Sequence, residues 1–167
     1  TILITNPRDI PGFVAELKKW QFSSIVGLNT LFVALMDHPE FEKLDFSRLK
    51  STGSGGTALV KATAERWQKK TGCVIGEGYG LTESAGVVSA NPYEGTRKPG
   101  TIGQVIMQTE VLLLDKEDPA VIAPDGEPGE LALHGPQVMR GYWNRPEASK
   151  DIFVEHLGKT WLRTGDV

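Results

Sequence analysis

Cys73-Val74-Ile75-Gly76-Glu77-Gly78-Tyr79-Gly80-Leu81-Thr82-Glu83-Ser84 runs from a short apolar stretch straight into glycines, an aromatic, a hydroxyl and a carboxylate. The apolar half, Cys73 to Gly76, reads as a buried strand. Glycines on both sides of Tyr79 let a ligand approach the backbone and leave the ring uncovered for a planar partner. Thr82 can donate to an anion, and Glu83 can hold a hard cation. Those parts suit a purine nucleotide together with its magnesium ion. They also stand at the end of a strand, where open α/β sheets bind ligands.

Upstream, helix and strand patterns alternate. Asp9 can cap a helix carrying Phe13, Leu17 and Trp20, with Pro11 in its first turn. Ser24 to Leu28 is short, apolar and partly β-branched, the pattern of a buried strand. Asn29 or Thr30 caps a second helix through Leu31, Leu35 and Met36, which Pro39 ends. Leu49 to Gly53 is the next strand. Thr57 caps a third helix with Val60, Ala64 and Trp67 on one face; Lys69 and Lys70 complement its negative end, and Gly72 stops it. Strand, helix, strand, helix, strand predicts parallel pairing up to about Pro92. Ile2-Leu3-Ile4 also reads as strand.

Past Pro92 and Pro99, glycine and proline punctuate short apolar runs, as in antiparallel β structure. Val111–Leu114 and Glu130–His134 are the firmest strands, with turns at Ala123–Gly126 and Pro128-Gly129. A short helix is predicted from Pro146 to Phe153. Tyr142, Trp143 and Trp161 read as packing residues. The fold class is therefore α/β followed by mostly antiparallel β.

Hydrophobic residues make up 40% of the 167 and charged residues 23%, with a formal charge of −3, the composition of a soluble globular protein. No basic excess points to nucleic acid. No apolar run approaches a bilayer span, and no signal-peptide pattern opens the chain. Cys73 is the single cysteine, which fits a reducing cytosol and reads as buried and inert. His38, His134 and His156 are too scattered to suggest a metal site. Thr1 and Val167 both sit in strand-like sequence, so the chain reads as an internal piece of a longer polypeptide.

Ser51-Thr52-Gly53-Ser54-Gly55-Gly56-Thr57 has a phosphate-loop composition, but no lysine follows until Lys61, so it is not a Walker loop. A plain strand-to-helix turn and a segment packed on a ligand are both compatible with it.

Gly78-Tyr79-Gly80-Leu81-Thr82-Glu83 resembles the signature of the adenylate-forming superfamily: acyl-CoA synthetases, luciferases and peptide-synthetase adenylation domains. Gly55-Gly56-Thr57 upstream, then Gly129-Glu130-Leu131, Gly135-Pro136, Gly141 to Glu147, and Trp161 to Asp166, follow the family's order. The opening Ile4 to Pro11 and the run Gly27 to Phe32 look most like a bacterial long-chain fatty-acid–CoA ligase. The resemblance implies an α/β subdomain piece over residues 1–95 and a β-barrel-like piece over 96–167, ending at the ribose-binding Thr-Gly-Asp. It implies that Gly55, Gly56, Thr57, Glu77, Gly78, Tyr79 and Gly80 cradle the adenine. Thr82 contacts phosphate, Glu83 holds Mg2+ (these two forming the catalytic pair), and Asp166 binds the ribose. ATP, Mg2+, CoA and a fatty acid are the implied cofactors and substrates. The implied location is cytoplasmic, with room for peripheral contact at the inner membrane and for a homodimer. Gly86-Val87-Val88 and Ile75-Gly76-Glu77 are candidates for the acyl pocket wall, although core packing explains them equally well. The family's phosphate loop lies upstream and its catalytic lysine downstream, so the piece alone is expected to be inactive. The nucleotide motifs suit an aryl-CoA ligase, an acyl-AMP ligase or a peptide-synthetase adenylation domain equally well. A non-catalytic nucleotide-binding module of the same fold remains a further alternative.

Overall fold

A computed structural model of the chain describes residues 2, 4 and 6–167. They form two compact units, one of residues 1–79 with 89–104, the other of residues 80–88 with 105–167. The strand expected over residues 2–4 falls partly on Leu3, outside the described residues; Ile2 and Ile4 are partly buried against the first unit's core.

In the first unit, helix α1 (Ile10–Leu17) starts where expected: the Asp9 carboxylate accepts from the Gly12 N–H at 3.1 Å, and proline occupies the first turn. Strand β1 (Ser24–Gly27) leads into α2 (Asn29–Asp37), which stops before Pro39. Strand β2 (Ser51–Ser54) leads into α3 (Lys61–Thr71), closed by Gly72 in the left-handed region at φ 75°. Strand β3 (Ile75–Leu81) follows. β1, β2 and β3 pair in parallel, with Ile25 beside Thr52, and Ser54 beside Glu77. Helical crossovers are what parallel neighbours require. Phe13, Leu17, Ile25, Phe32, Leu35, Met36, Trp67 and Ile75 make the core between sheet and helices.

Two helix starts differ from the sequence reading. Leu28, not Asn29 or Thr30, precedes α2 and supplies no side-chain cap. The Asn29 carboxamide instead accepts from the Val60 N–H at 3.1 Å, at the head of α3. Thr57 caps nothing: it is exposed in a turn, and α3 begins at Lys61 after the extended residue Val60. A distant asparagine holds the backbone just before α3, and no side chain caps the helix where a local threonine was expected to.

The third difference lies after β3. A three-residue turn, Thr82–Ser84, connects it to β4 (Gly86–Ala90), too short for a helical crossover, so β4 returns antiparallel. The sheet order is β1-β2-β3-β4-β5, with β5 at Gln104–Val105, and the sheet is mixed.

In the second unit, β6 (Glu110–Leu114), β7 (Glu130–His134), β8 (Phe153–His156) and β9 (Lys159–Arg163) form an antiparallel sheet in the order β6-β7-β9-β8, as the turn-punctuated sequence predicts. Leu157 and Gly158, both at positive φ, make the two-residue hairpin between β8 and β9. Helix α4 (Pro146–Asp151) is close to its predicted span. Leu114, Ala132 and Trp161 are the buried centre.

Candidate nucleotide site

Within the first unit, the parallel register carries the ends of β2 and β3 side by side. Ser54 lies beside Glu77, so Gly55 lies level with Gly78. A Cβ placed on Gly55 would stand 3.3 Å from the Gly78 carbonyl oxygen, so the two glycine segments are in close approach. Gly56 is left-handed at φ 80°, a turn that a side chain would strain. Tyr79 follows Gly78 and is half-buried. Glu77 is occupied structurally: its carboxylate accepts from the Gly100 N–H at 2.8 Å, and its carbonyl accepts from the Asn91 N–H at 2.8 Å. Cys73 is buried, within 3.5 Å of the Thr52 hydroxyl. Ile75 is buried in the first core; Val88, also buried, belongs to the second unit.

Within the second unit, Gly80 is pressed against Gly86, and a Cβ there would collide with the Gly86 carbonyl. Ser84, fully buried, locks the turn that carries Thr82 and Glu83. Its hydroxyl accepts from the Leu81 N–H at 3.2 Å and lies 2.9 Å from the carbonyls of both Leu81 and Gly86. Thr82 is exposed. Glu83 is gripped twice: its carbonyl accepts from the Met139 N–H at 2.7 Å, and its Oε1 accepts from the Tyr142 hydroxyl at 2.7 Å. That donation holds the Glu83 carboxyl below the usual carboxylate range, so it is charged at neutral pH, and it raises the Tyr142 phenol.

Asp166 ends a turn built on a buried carboxylate. Glu130 takes Arg163 Nε at 3.0 Å and Nη2 at 2.7 Å on one oxygen, and the Gly165 N–H at 3.0 Å on the other. Thr164 bonds the Leu131 carbonyl, and the Asp166 carbonyl accepts from the Leu131 N–H at 2.9 Å. Glu130→Gln should therefore destabilise this sheet by about 2 kcal/mol. That is less than the 3–5 kcal/mol of a fully buried pair, because water reaches Arg163. A denaturation midpoint unchanged by the substitution would remove Glu130 from that role.

The sequence reading missed three of these supports. Tyr142 was expected to pack; it is 40% exposed and bonds Glu83, and the neighbouring Trp143 is 93% exposed, while Trp161 is buried as expected. Ser84 and Glu130 carry no chemistry of their own, and only their place inside ordered motifs signalled them.

The sequence model for AMP-binding enzymes matches residues 1–143. The chain belongs to the AMP-binding enzyme family. A long-chain-fatty-acid–CoA ligase of Escherichia coli O6:H1 is 51% identical over 166 residues, which cover 99% of this chain and 28% of that one. The chain thus spans under a third of the length of this curated relative. Among solved structures, an anthranilate CoA ligase in complex with anthranoyl-AMP superposes with a TM-score of 0.85 at 25% identity, over 98% of this chain and 30% of that one. ATP-bound MatB from Rhodopseudomonas palustris gives 0.79 at 29% identity, over 96% and 30%.

Proposed function

We propose that this chain is the nucleotide-cradling part of an ATP-dependent long-chain fatty-acid–CoA ligase. The observation that carries the reading is 51% identity, along essentially the whole chain, with a ligase named for long-chain acids. The close approach of Gly55 to Gly78 supports it, because it puts the two candidate adenine segments at neighbouring strand ends. In the reaction, a fatty-acid carboxylate oxygen attacks the α-phosphorus of ATP, pyrophosphate leaves, and an acyl-adenylate forms. The CoA thiol then displaces AMP.

Gly55, Gly56, Thr57, Gly78, Tyr79 and Gly80 would line the adenine, Thr82 would donate to phosphate, and Asp166 would accept from the ribose hydroxyls. Glu77, through its bond to Gly100, would hold the neighbouring loop in place. Glu83 fits a magnesium ion: it is a charged hard-oxygen donor whose side-chain partner is a neutral hydroxyl. Among the described residues no group of three His, Cys, Asp or Glu is assembled. Glu83 would therefore share the ion with substrate phosphates rather than with a protein cage. When bound, the ion supplies neutralisation of the charge on the departing pyrophosphate.

Among the described residues no helix is long and apolar enough to cross a membrane. The enzyme would work in the cytoplasm, with room for peripheral contact at the inner membrane and for a homodimer. Residues 1–95 and 96–167 would contribute to the α/β and β-barrel subdomains.

Full-length protein given ATP, Mg2+, palmitate and CoA should release pyrophosphate and form palmitoyl-CoA. Tyr79→Ala should weaken ATP binding by up to about tenfold, the worth of an aromatic stack, and palmitate binding less. A higher kcat/KM with benzoate or anthranilate than with palmitate would overturn the acid class, and equal losses for both ligands would overturn the role of Tyr79.

A further inference from the structure

Glu83 is held differently from the carboxylates that form ion pairs. Glu16, Glu40, Glu42, Glu110 and Glu130 each pair with a lysine or arginine. The partner of Glu83 is the neutral hydroxyl of Tyr142, at 2.7 Å. A cationic partner would cancel the charge that attracts a metal. A phenol fixes one carboxylate oxygen and leaves the negative charge in place. Among the described residues the carboxylate has no second side-chain partner; after Tyr142, its own backbone N–H also favours the charged form.

Tyr142 is itself anchored. Its backbone N–H donates to the Ser149 hydroxyl at 2.8 Å, and that hydroxyl donates to the Arg145 carbonyl at 2.8 Å. Gly141, at φ 143°, makes the bend, and a Cβ there would stand 2.9 Å from the same hydroxyl oxygen. The Met139 N–H, three residues earlier, donates to the Glu83 carbonyl. One loop thus grips Glu83 by backbone and by side chain.

We propose that Tyr142 is the positioning residue for Glu83: its hydroxyl holds Oε1 and leaves Oε2 for the divalent cation that accompanies the nucleotide. The inference rests on the reading of Glu83 as the magnesium carboxylate. Partners that orient a ligating group through its other polar atom commonly change metal affinity by about 10- to 100-fold when removed. Tyr142 is partly exposed, so the lower end applies.

The test is ATP binding to the full-length enzyme, followed by calorimetry across Mg2+ concentrations and with EDTA, for Tyr142→Phe, Glu83→Gln and the double variant. Tyr142→Phe should raise the half-saturating Mg2+ concentration about tenfold. Affinity for metal-free ATP and the thermal unfolding temperature should stay near those of the parent. The double variant should match Glu83→Gln alone, because the hydroxyl acts through the carboxylate. If Glu83→Gln shifts the Mg2+ dependence and Tyr142→Phe leaves it unchanged, the positioning role is wrong. A parallel loss of metal-free ATP affinity in Tyr142→Phe would make the residue structural and also overturn it. If Glu83→Gln itself leaves the Mg2+ curve unmoved, the magnesium reading falls and the proposal falls with it.

Discussion

Glu83→Gln in the full-length enzyme should lower the rate of adenylation by about a hundredfold to a thousandfold, the range seen when one preorganised charge-stabilising group is removed. The substitution keeps the side chain's shape. Tyr142 can still donate to the amide oxygen, and the Met139 tie is to the backbone and survives. Ser84, buried beneath the turn, continues to hold it. What disappears is the negative charge, which the Tyr142 hydroxyl otherwise keeps in its ionised form. Folding stability and AMP binding should therefore change little, while catalysis collapses. Higher Mg2+ should restore part of the rate, since mass action offsets weaker binding. A carboxylate that merely solvates a loop predicts a change within about half a kcal/mol instead. Pyrophosphate release measured against Mg2+ separates the two: superimposable curves for parent and variant would take Glu83 out of the site.

The features legible in the sequence are those whose cause is local or ordered along the chain. Asp9 caps the helix that follows it because the donating N–H is three residues away. Gly72 stops α3 because its own φ is positive. The antiparallel strands after Pro99 announce themselves through the turns between them. The misread positions have causes far along the chain. Asn29 reaches a backbone N–H 31 residues ahead and leaves its own helix uncapped. Tyr142 finds its partner 59 residues back. Composition suggests that an aromatic beside another aromatic packs inward, and nothing within its own segment reveals an exposed carboxylate waiting for it. The antiparallel return of β4 was hidden differently. Gly86-Val87-Val88 is apolar enough for either direction, and the three-residue turn before it decides.

Trp67→Ala should destabilise the first unit by about 3–5 kcal/mol, the usual cost of deleting a large buried ring. Trp67 is wholly buried, with Phe32 at 4.7 Å and Phe41 at 5.5 Å between ring centroids. It touches α2 through Phe32, so the cavity would lie between two helices that both cover the sheet, where local collapse is difficult. The ring also reaches the sheet itself. Its indole N–H donates to the Thr52 hydroxyl at 3.1 Å, and that hydroxyl in turn lies 3.5 Å from the Cys73 sulfur. Thr52 is two residues before Ser54, on the strand whose end carries Gly55. The core residue thus props the strand that presents the candidate adenine segment. Trp67→Phe should fall between parent and alanine variant, since it keeps much of the ring contact and loses the indole donor. The urea midpoint should move with an unchanged slope if only the folded state is affected. A loss below 1 kcal/mol would mean that the core closes over the gap. An ATP affinity that falls only where the protein unfolds would place Trp67 beneath the site rather than in it.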